Sequence, residues 1–250
     1  MISHGNTFRA DLLPILTFLR RKRIGHSVVG LWFSANPMVL FRPGQFLEIS
    51  LPHLNPDSRG IRREFTIASA PSEHELMLAV KFDQPGSTFK QRLRHLEPGE
   101  QVETTYCGGN FVLPVEPQVP IVLIAGGIGI TPYRSMLQWL TETHQQRDVV
   151  LIHAVARTED FLFESELAAA EKAGTTIHRI VGHPPSNWLG EQGIVDAARI
   201  KRLVPDFIRR EIYLCGPESL VSSLAAALPC LGVSPDRIHR DAFPGYPNNE

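Results

Sequence analysis

Three prolines in seven residues, Pro114, Pro117 and Pro120, divide this 250-residue chain into two stretches of different periodicity. A segment so rich in proline continues neither a helix nor a central strand, because the ring removes a backbone donor and fixes φ. Before it, from about Pro14 to Leu113, apolar runs are short and broken by turn residues. Val28–Phe33, Gln45–Leu51 and Leu76–Phe82 are such runs, separated by Asn36-Pro37, Arg42-Pro43-Gly44, Asn55-Pro56-Asp57 and Glu97-Pro98-Gly99-Glu100. Short strands with regular turns predict an antiparallel sandwich or barrel. One helix fits Phe89 to Leu96, where Phe89, Leu93 and Leu96 share a face.

After the prolines the pattern becomes strand–helix alternation. Ile121 to Ala125 is an unbroken apolar run, the pattern of a strand buried on both faces. Tyr133, Met136, Leu137 and Leu140 then repeat at helical spacing. Val149–Ala154, Thr176–Val181 and Ile212–Cys215 read as further strands. Phe163–Ala173, stopped by Gly174, and the face of Leu220, Val221, Leu224 and Leu228 read as helices. Alternation of this kind predicts a parallel sheet covered on both sides.

Bulk properties exclude several classes. Hydrophobic residues make up 43% and the formal net charge is -1, so the chain is neither disordered nor a basic nucleic-acid binder. The local exception, Arg20-Arg21-Lys22-Arg23, reads as a solvated strand end or turn. Three widely spaced cysteines build no zinc ribbon or iron–sulfur loop and fit a reducing compartment. The ten histidines are scattered, and no metal site is expected. No apolar run approaches a membrane span, and the N-terminus has no signal-peptide core, so a cytoplasmic location is expected.

Three segments carry chemistry. Gly126-Gly127-Ile128-Gly129-Ile130-Thr131-Pro132 joins the first buried strand to the next helix. Its glycines allow a sharp turn and close approach of a ligand. Thr131 is expected as the N-cap and Pro132 as the first helical residue, and a helix start of this kind suits a pyrophosphate. Cys215-Gly216-Pro217 likewise follows a buried strand, where α/β sheets bind ligands. Arg63-Glu64-Phe65-Thr66 offers a phosphate-binding guanidinium, an aromatic face and a hydroxyl. Strand alternation puts Arg63 and Phe65 on one face. Each segment alone also reads as ordinary structure: a tight turn, a buried small thiol, and a strand with a surface arginine.

Taken together, in order and over about Ala10 to Tyr246, these segments closely resemble the ferredoxin–NADP⁺ reductase superfamily of FAD-dependent NAD(P)H reductases. Arg63-Glu64-Phe65-Thr66 resembles its flavin motif, Gly126–Pro132 its nicotinamide-nucleotide loop, and Cys215-Gly216-Pro217 its motif beside the nicotinamide. Arg42-Pro43-Gly44-Gln45-Phe46 resembles the turn entering its second barrel strand. The resemblance implies an antiparallel Greek-key FAD-binding barrel over residues 10–116 and a five-stranded parallel α/β domain over 117–250 that binds NADPH or NADH. It implies that Arg63 contacts the FAD phosphates, that Phe65 stacks on the isoalloxazine, and that Thr66 hydrogen-bonds near the reacting flavin nitrogen. It further implies that Gly86, Ser87, Thr88, Phe89 and Lys90 cradle the pyrophosphate. The sequence departs from the family at Tyr106-Cys107-Gly108-Gly109 and at the C-terminus, where Phe243 is the candidate to shield the flavin. Arg157, after the second strand of the α/β half, is the candidate contact for the NADPH 2′-phosphate, and equally reads as an arginine that stacks on adenine or caps the following helix region.

The expected activity is hydride transfer from NAD(P)H to bound FAD, with Thr66 and Cys215 nearest the reacting atoms. Electrons then pass to a separate acceptor, a small redox protein such as ferredoxin or flavodoxin, and a monomer is favoured. Two alternatives stay open: an electron-transfer subunit without independent turnover, and a reductase that treats free flavin as substrate.

Overall fold

The computed structural model describes residues 13–82 and 86–243. Residues 10–12 of the expected barrel domain, and Tyr246 at the end of the resemblance, lie outside the described residues.

The first sheet has six antiparallel strands: β1 (Ile15–Arg23), β2 (Val28–Asn36), β3 (Phe46–Ser50), β4 (Arg62–Thr66), β5 (Leu76–Lys81) and β6 (Gln101–Gly108). Their spatial order is β4-β3-β6-β1-β2-β5. The long connections this requires give the Greek-key character. The edge strands β4 and β5 curl toward each other. They meet at one bridge, Ile67 to Leu78, beside an Ala68 N–H donating 2.8 Å to the Met77 carbonyl. The sheet is thus barrel-like but not closed. Helix α1 (Thr88–Arg94) plugs it, with Phe89 and Leu93 buried among Phe18, Leu47 and Leu78. Ser87 caps α1, its Oγ accepting the Lys90 N–H at 3.2 Å.

The basic run closes β1. Arg20 forms a paired contact with Glu75 at 2.6–2.7 Å, and Arg21 donates to the carbonyls of Arg94 and Leu96. These contacts tie the sheet to the end of α1.

The second sheet is parallel: β7 (Ile121–Gly126), β8 (Val149–Val155), β9 (Thr176–Val181), β10 (Glu191–Gln192), β11 (Glu211–Pro217) and β12 (Ile238–Phe243), in the order β10-β9-β8-β7-β11-β12. It has six strands where five were expected. The extra one, β10, spans two residues and is too short to show a period in sequence. Helices α2 (Thr131–Glu142), α3 (Glu164–Lys172), α4 (Ala197–Leu203) and α5 (Glu218–Cys230) cover it. Strand β7 serves both layers. Ile121, Leu123 and Ala125 pack toward α2 and α3, whereas Val122 and Ile124 face the α4–α5 layer.

The chain leaves β7 in one direction across the sheet and returns on its other side as β11. The topological switch point, where open α/β sheets bind ligands, therefore lies between β7 and β11. The α2 layer is continuous with the first half, since Val28, Ala68, Met77, Phe111 and Leu113 share its core.

Candidate active site at the junction of the two sheets

Both glycine segments lie at the switch point, and their backbones touch. A Cβ on Gly129 would stand 2.3 Å from the Cys215 carbonyl oxygen, and one on Gly216 would stand 2.9 Å from that of Gly126. Only glycine allows this approach. Gly127 is different: its φ of +53° is what requires glycine, and the space where a Cβ would project is open. A left-handed glycine beside open space, followed by the first amides of a helical turn, makes a cradle for an anion.

The helix start differs from expectation in one detail. Residues Gly127–Ile130 already form a 3₁₀ turn, so the chain is helical before Thr131, whose φ and ψ are −57° and −50°. Thr131 is the first residue of α2 and Ile130 its cap. The threonine hydroxyl instead donates 3.0 Å to the Ile128 carbonyl, tightening the turn. Pro132 follows within the first turn of α2, where its missing N–H is not needed.

Cys215 is fully buried at the end of β11, level with Asp241 of β12. Its Sγ lies 3.9 Å from Asp241 Oδ2. Burial pushes the thiol well above its ordinary pKa, so it stays protonated. Burial also pushes the Asp241 carboxyl up to about 6, partly offset by the Cys215 thiol and reinforced by Glu64. Glu64 belongs to β4, so the carboxylates of the two halves are close enough to repel. Phe243 aligns with Pro217 and packs, partly buried, on the shared core.

In β4, Arg63 and Phe65 do share a face: both lie on Phe89, the guanidinium carbon 5.0 Å from the ring centroid and the Phe65 ring 6.1 Å away and nearly parallel. Arg63 is already engaged. Its donors reach Asp57 at 2.6 Å and the carbonyls of Arg59 and Gly60. Phe89 is fully buried, its ring part of the barrel core. Lys90 Nζ donates 2.8 Å to the Lys81 carbonyl. Thr66 is nearly buried and pairs with Phe46 of β3. The aromatic face, hydroxyl and capped helix start are the donor set a flavin dinucleotide needs.

Arg157 is exposed after β8, and its N–H donates 3.2 Å to the Asp160 carboxylate. Trp188 stacks on Phe161 with centroids 6.0 Å apart.

Sequence reading passed over three residues at this junction. Arg134 of α2, 8% exposed, joins Glu73 from the first half to Glu166 of α3 at 3.1 Å each, and also reaches the Ala68 carbonyl. Asp241 is brought beside Cys215 by the pairing of β12 with β11. His153 is buried in β8 against Gly127. A charged or polar residue in an otherwise buried phase was the available signal for Arg134 and His153.

These features define a two-part NAD(P)H-dependent flavoprotein reductase. Residues 123–225 match the oxidoreductase NAD-binding domain family. The chain is 29% identical over 250 residues to the stachydrine N-demethylase reductase subunit Stc4 of Rhizobium meliloti, covering 97% of this chain and 70% of that one. It is 28% identical over 218 residues to the glycine betaine monooxygenase reductase subunit of Pseudomonas aeruginosa, covering 84% of this chain and 59% of that one. It superposes with a TM-score of 0.79 and 26% identity on the crystal structure of Amycolatopsis cytochrome P450 reductase GcoB, covering 92% of this chain and 69% of that one. In fold and in its matched domain the chain is similar to the ferredoxin–NADP⁺ reductase superfamily. No helix among the described residues is long and apolar enough to cross a membrane.

Proposed function

We propose that this chain takes a hydride from NAD(P)H onto bound FAD and hands the electrons to a separate protein. Residues 10–116 hold the flavin and residues 117–250 the nicotinamide nucleotide. The observation that carries this reading is the convergence of β4, β7 and β11. Glu64 beside the flavin-strand residues acts on Asp241, and Asp241 flanks Cys215, which abuts the glycine turn.

Bound FAD would supply hydride acceptance and release of electrons one at a time. The protein orients, excludes water and holds charge. Phe65 offers its face to the ring system, Thr66 a hydrogen bond beside the reacting nitrogen, and Ser87–Lys90 backbone donors to the phosphates. Arg63 contributes positive charge, shared with Asp57. On the other side the turn from Gly126 to Pro132 receives the pyrophosphate, and Cys215, Gly216 and Pro217 border the nicotinamide. Phe243 covers the cleft from β12.

Two relatives are reductase subunits by name, which supports a distinct acceptor. A small redox protein of the ferredoxin or flavodoxin kind fits one-electron delivery, from a monomeric, cytoplasmic reductase. The test is direct. Purified protein should be yellow and should bleach anaerobically with NADH or NADPH. Protein that cannot take up FAD sinks the reading. Steady-state reduction of a dye or cytochrome by the isolated chain separates an enzyme from a subunit without turnover, and FAD retained through gel filtration excludes free flavin as substrate.

A further inference from the structure

His153 stands in the middle of the apolar strand β8, level with Ala125 of β7 and Arg179 of β9, and is fully buried. An imidazole there incurs a desolvation penalty that a leucine would avoid. Its Nε2 lies 3.2 Å from the Gly127 carbonyl oxygen. A carbonyl only accepts, so Nε2 carries the hydrogen. Nδ1 is buried without a partner, and the ring meets Phe161 edge-on at 5.2 Å. Burial pushes the imidazole down to about 4, which keeps it neutral, and the Gly127 contact fixes this tautomer. The residue therefore makes one polar contact, and that contact is to the turn between β7 and α2.

The geometry of a peptide gives the contact a consequence. In a trans peptide the carbonyl of one residue and the N–H of the next point in opposite directions. A Gly127 carbonyl held against β8 turns the Ile128 N–H away from His153. That N–H belongs to the first turn of the 3₁₀ segment, where amides lack intrahelical acceptors. Gly127 at φ +53° has no Cβ to restrict its peptide, so the orientation has to be imposed from outside.

We propose that His153 is a positioning residue for the nicotinamide nucleotide: its Nε2–H pins the Gly127 carbonyl and thereby aims the Ile128 amide at the pyrophosphate. The inference rests on residues Gly126–Pro132 being the pyrophosphate turn, as proposed above. His153 touches no ligand itself.

Three variants test it. His153→Phe keeps the ring against Phe161 and removes the donor. His153→Asn has a donor too short to reach Gly127, and His153→Gln has one of nearly the right reach. The first readout is calorimetric binding of ADP-ribose and its 2′-phosphate, which carry the pyrophosphate and no nicotinamide. Phe and Asn should weaken binding by about tenfold, the worth of one well-placed hydrogen bond, and Gln should recover most of it. The second readout compares two hydride donors. The KM for NAD(P)H should rise about tenfold with kcat little changed, while flavin reduction by 1-benzyl-1,4-dihydronicotinamide, which has no phosphate, should not move. FAD content should stay at the wild-type level. Equal losses with both donors, or unchanged ADP-ribose affinity in the Asn variant, would overturn the role of His153. Wild-type protein that binds neither ADP-ribose form would overturn the reading of the turn itself.

Discussion

Arg134 and Glu73 join the two halves of the molecule through a forked ion pair whose Nη2–Oε1 arm is 3.1 Å long. Arg134 lies in the first turn of α2, just after the proposed nucleotide turn, and Glu73 follows β4, the proposed flavin strand, by a few residues. The same guanidinium holds Glu166 and the Ala68 carbonyl, and the neighbouring Ser135 hydroxyl donates 2.6 Å to the Ser69 carbonyl. Segment 68–73 is thus bolted to α2, the helix that follows the proposed nucleotide turn. Arg134→Met should destabilise the protein by about 3 kcal/mol, because it leaves two half-buried carboxylates unpaired. Urea unfolding measures this. If the bolt also sets the gap between the cofactors, single-turnover flavin reduction should slow more than NAD(P)H binding weakens. A variant of unchanged stability would show the pair to be incidental.

Asp241 gives the site a pH signature. Its folded carboxyl titrates near 6, raised by burial and by Glu64 and partly lowered by the Cys215 thiol. A raised carboxyl pKa means the folded state favours the protonated form, so ionisation costs stability as pH climbs from about 4 to above 6. The full cost, about 2–3 kcal/mol, is felt at neutral pH and vanishes in acid. Asp241→Asn should therefore raise Tm at pH 8 and leave it unchanged near pH 4. The ionised form flanks Cys215, which borders the proposed nicotinamide position where positive charge develops on hydride loss, so flavin reduction should fall below pH 6 in wild type. A flat rate profile between pH 5 and 8 would remove Asp241 from that role.

Thr66 and Cys215 should act by position and not by titration. The buried thiol stays protonated far above neutrality, and threonine does not ionise in this range. Cys215→Ala and Thr66→Ala should each retain FAD yet lose about 1–3 kcal/mol at the transition state, a slowing of roughly 5- to 150-fold in stopped-flow flavin reduction. An unchanged rate for Cys215→Ala would mean that the nicotinamide lies elsewhere.

Strands β7, β8 and β11 were legible because a strand buried on both faces must be apolar at every position, and Ile121–Ala125 and Val149–Ala154 are nearly so. The barrel strands obey a weaker rule. β6 reads Gln-Val-Glu-Thr-Thr-Tyr-Cys-Gly, half exposed, with a register shift where it pairs with β3, so alternation alone does not mark it. β12 is an edge strand with apolar residues only at Ile238, Ala242 and Phe243, which hides both the strand and the neighbour it gives Cys215. The glycine segments announced themselves through local backbone need. Asp241 and Arg134 owe their roles to partners dozens of residues away, which no local pattern encodes. His153 is intermediate: a lone imidazole in Val-Val-Leu-Ile-His-Ala-Val is a visible anomaly, but its partner is visible only in the fold.

We propose that the preference between NADPH and NADH turns on Arg157. It follows the second parallel strand, where an acidic residue favours a free ribose hydroxyl and an arginine favours a 2′-phosphate. Its backbone is fixed by Asp160, which takes the Arg157 N–H and returns its own N–H to the Arg157 carbonyl at 3.0 Å. The side chain is exposed, and among the described residues its guanidinium has no ion-pair partner. An arginine with a fixed stem and an unpaired head is free to meet a phosphate, whereas one spent on a carboxylate would not be. Glu159 and Asp160 stand next to it, however, and lower the local potential for an anion. The balance favours NADPH by a modest margin. One charge-assisted phosphate contact is worth about 1.5–3 kcal/mol, so Arg157→Ala should lower the NADPH-over-NADH ratio of kcat/KM by roughly 10- to 100-fold, with the NADH value itself unchanged. Glu159→Gln should move the ratio the other way, by a smaller factor. A wild type that already prefers NADH, or a ratio that stays put in Arg157→Ala, would assign the selection to another residue.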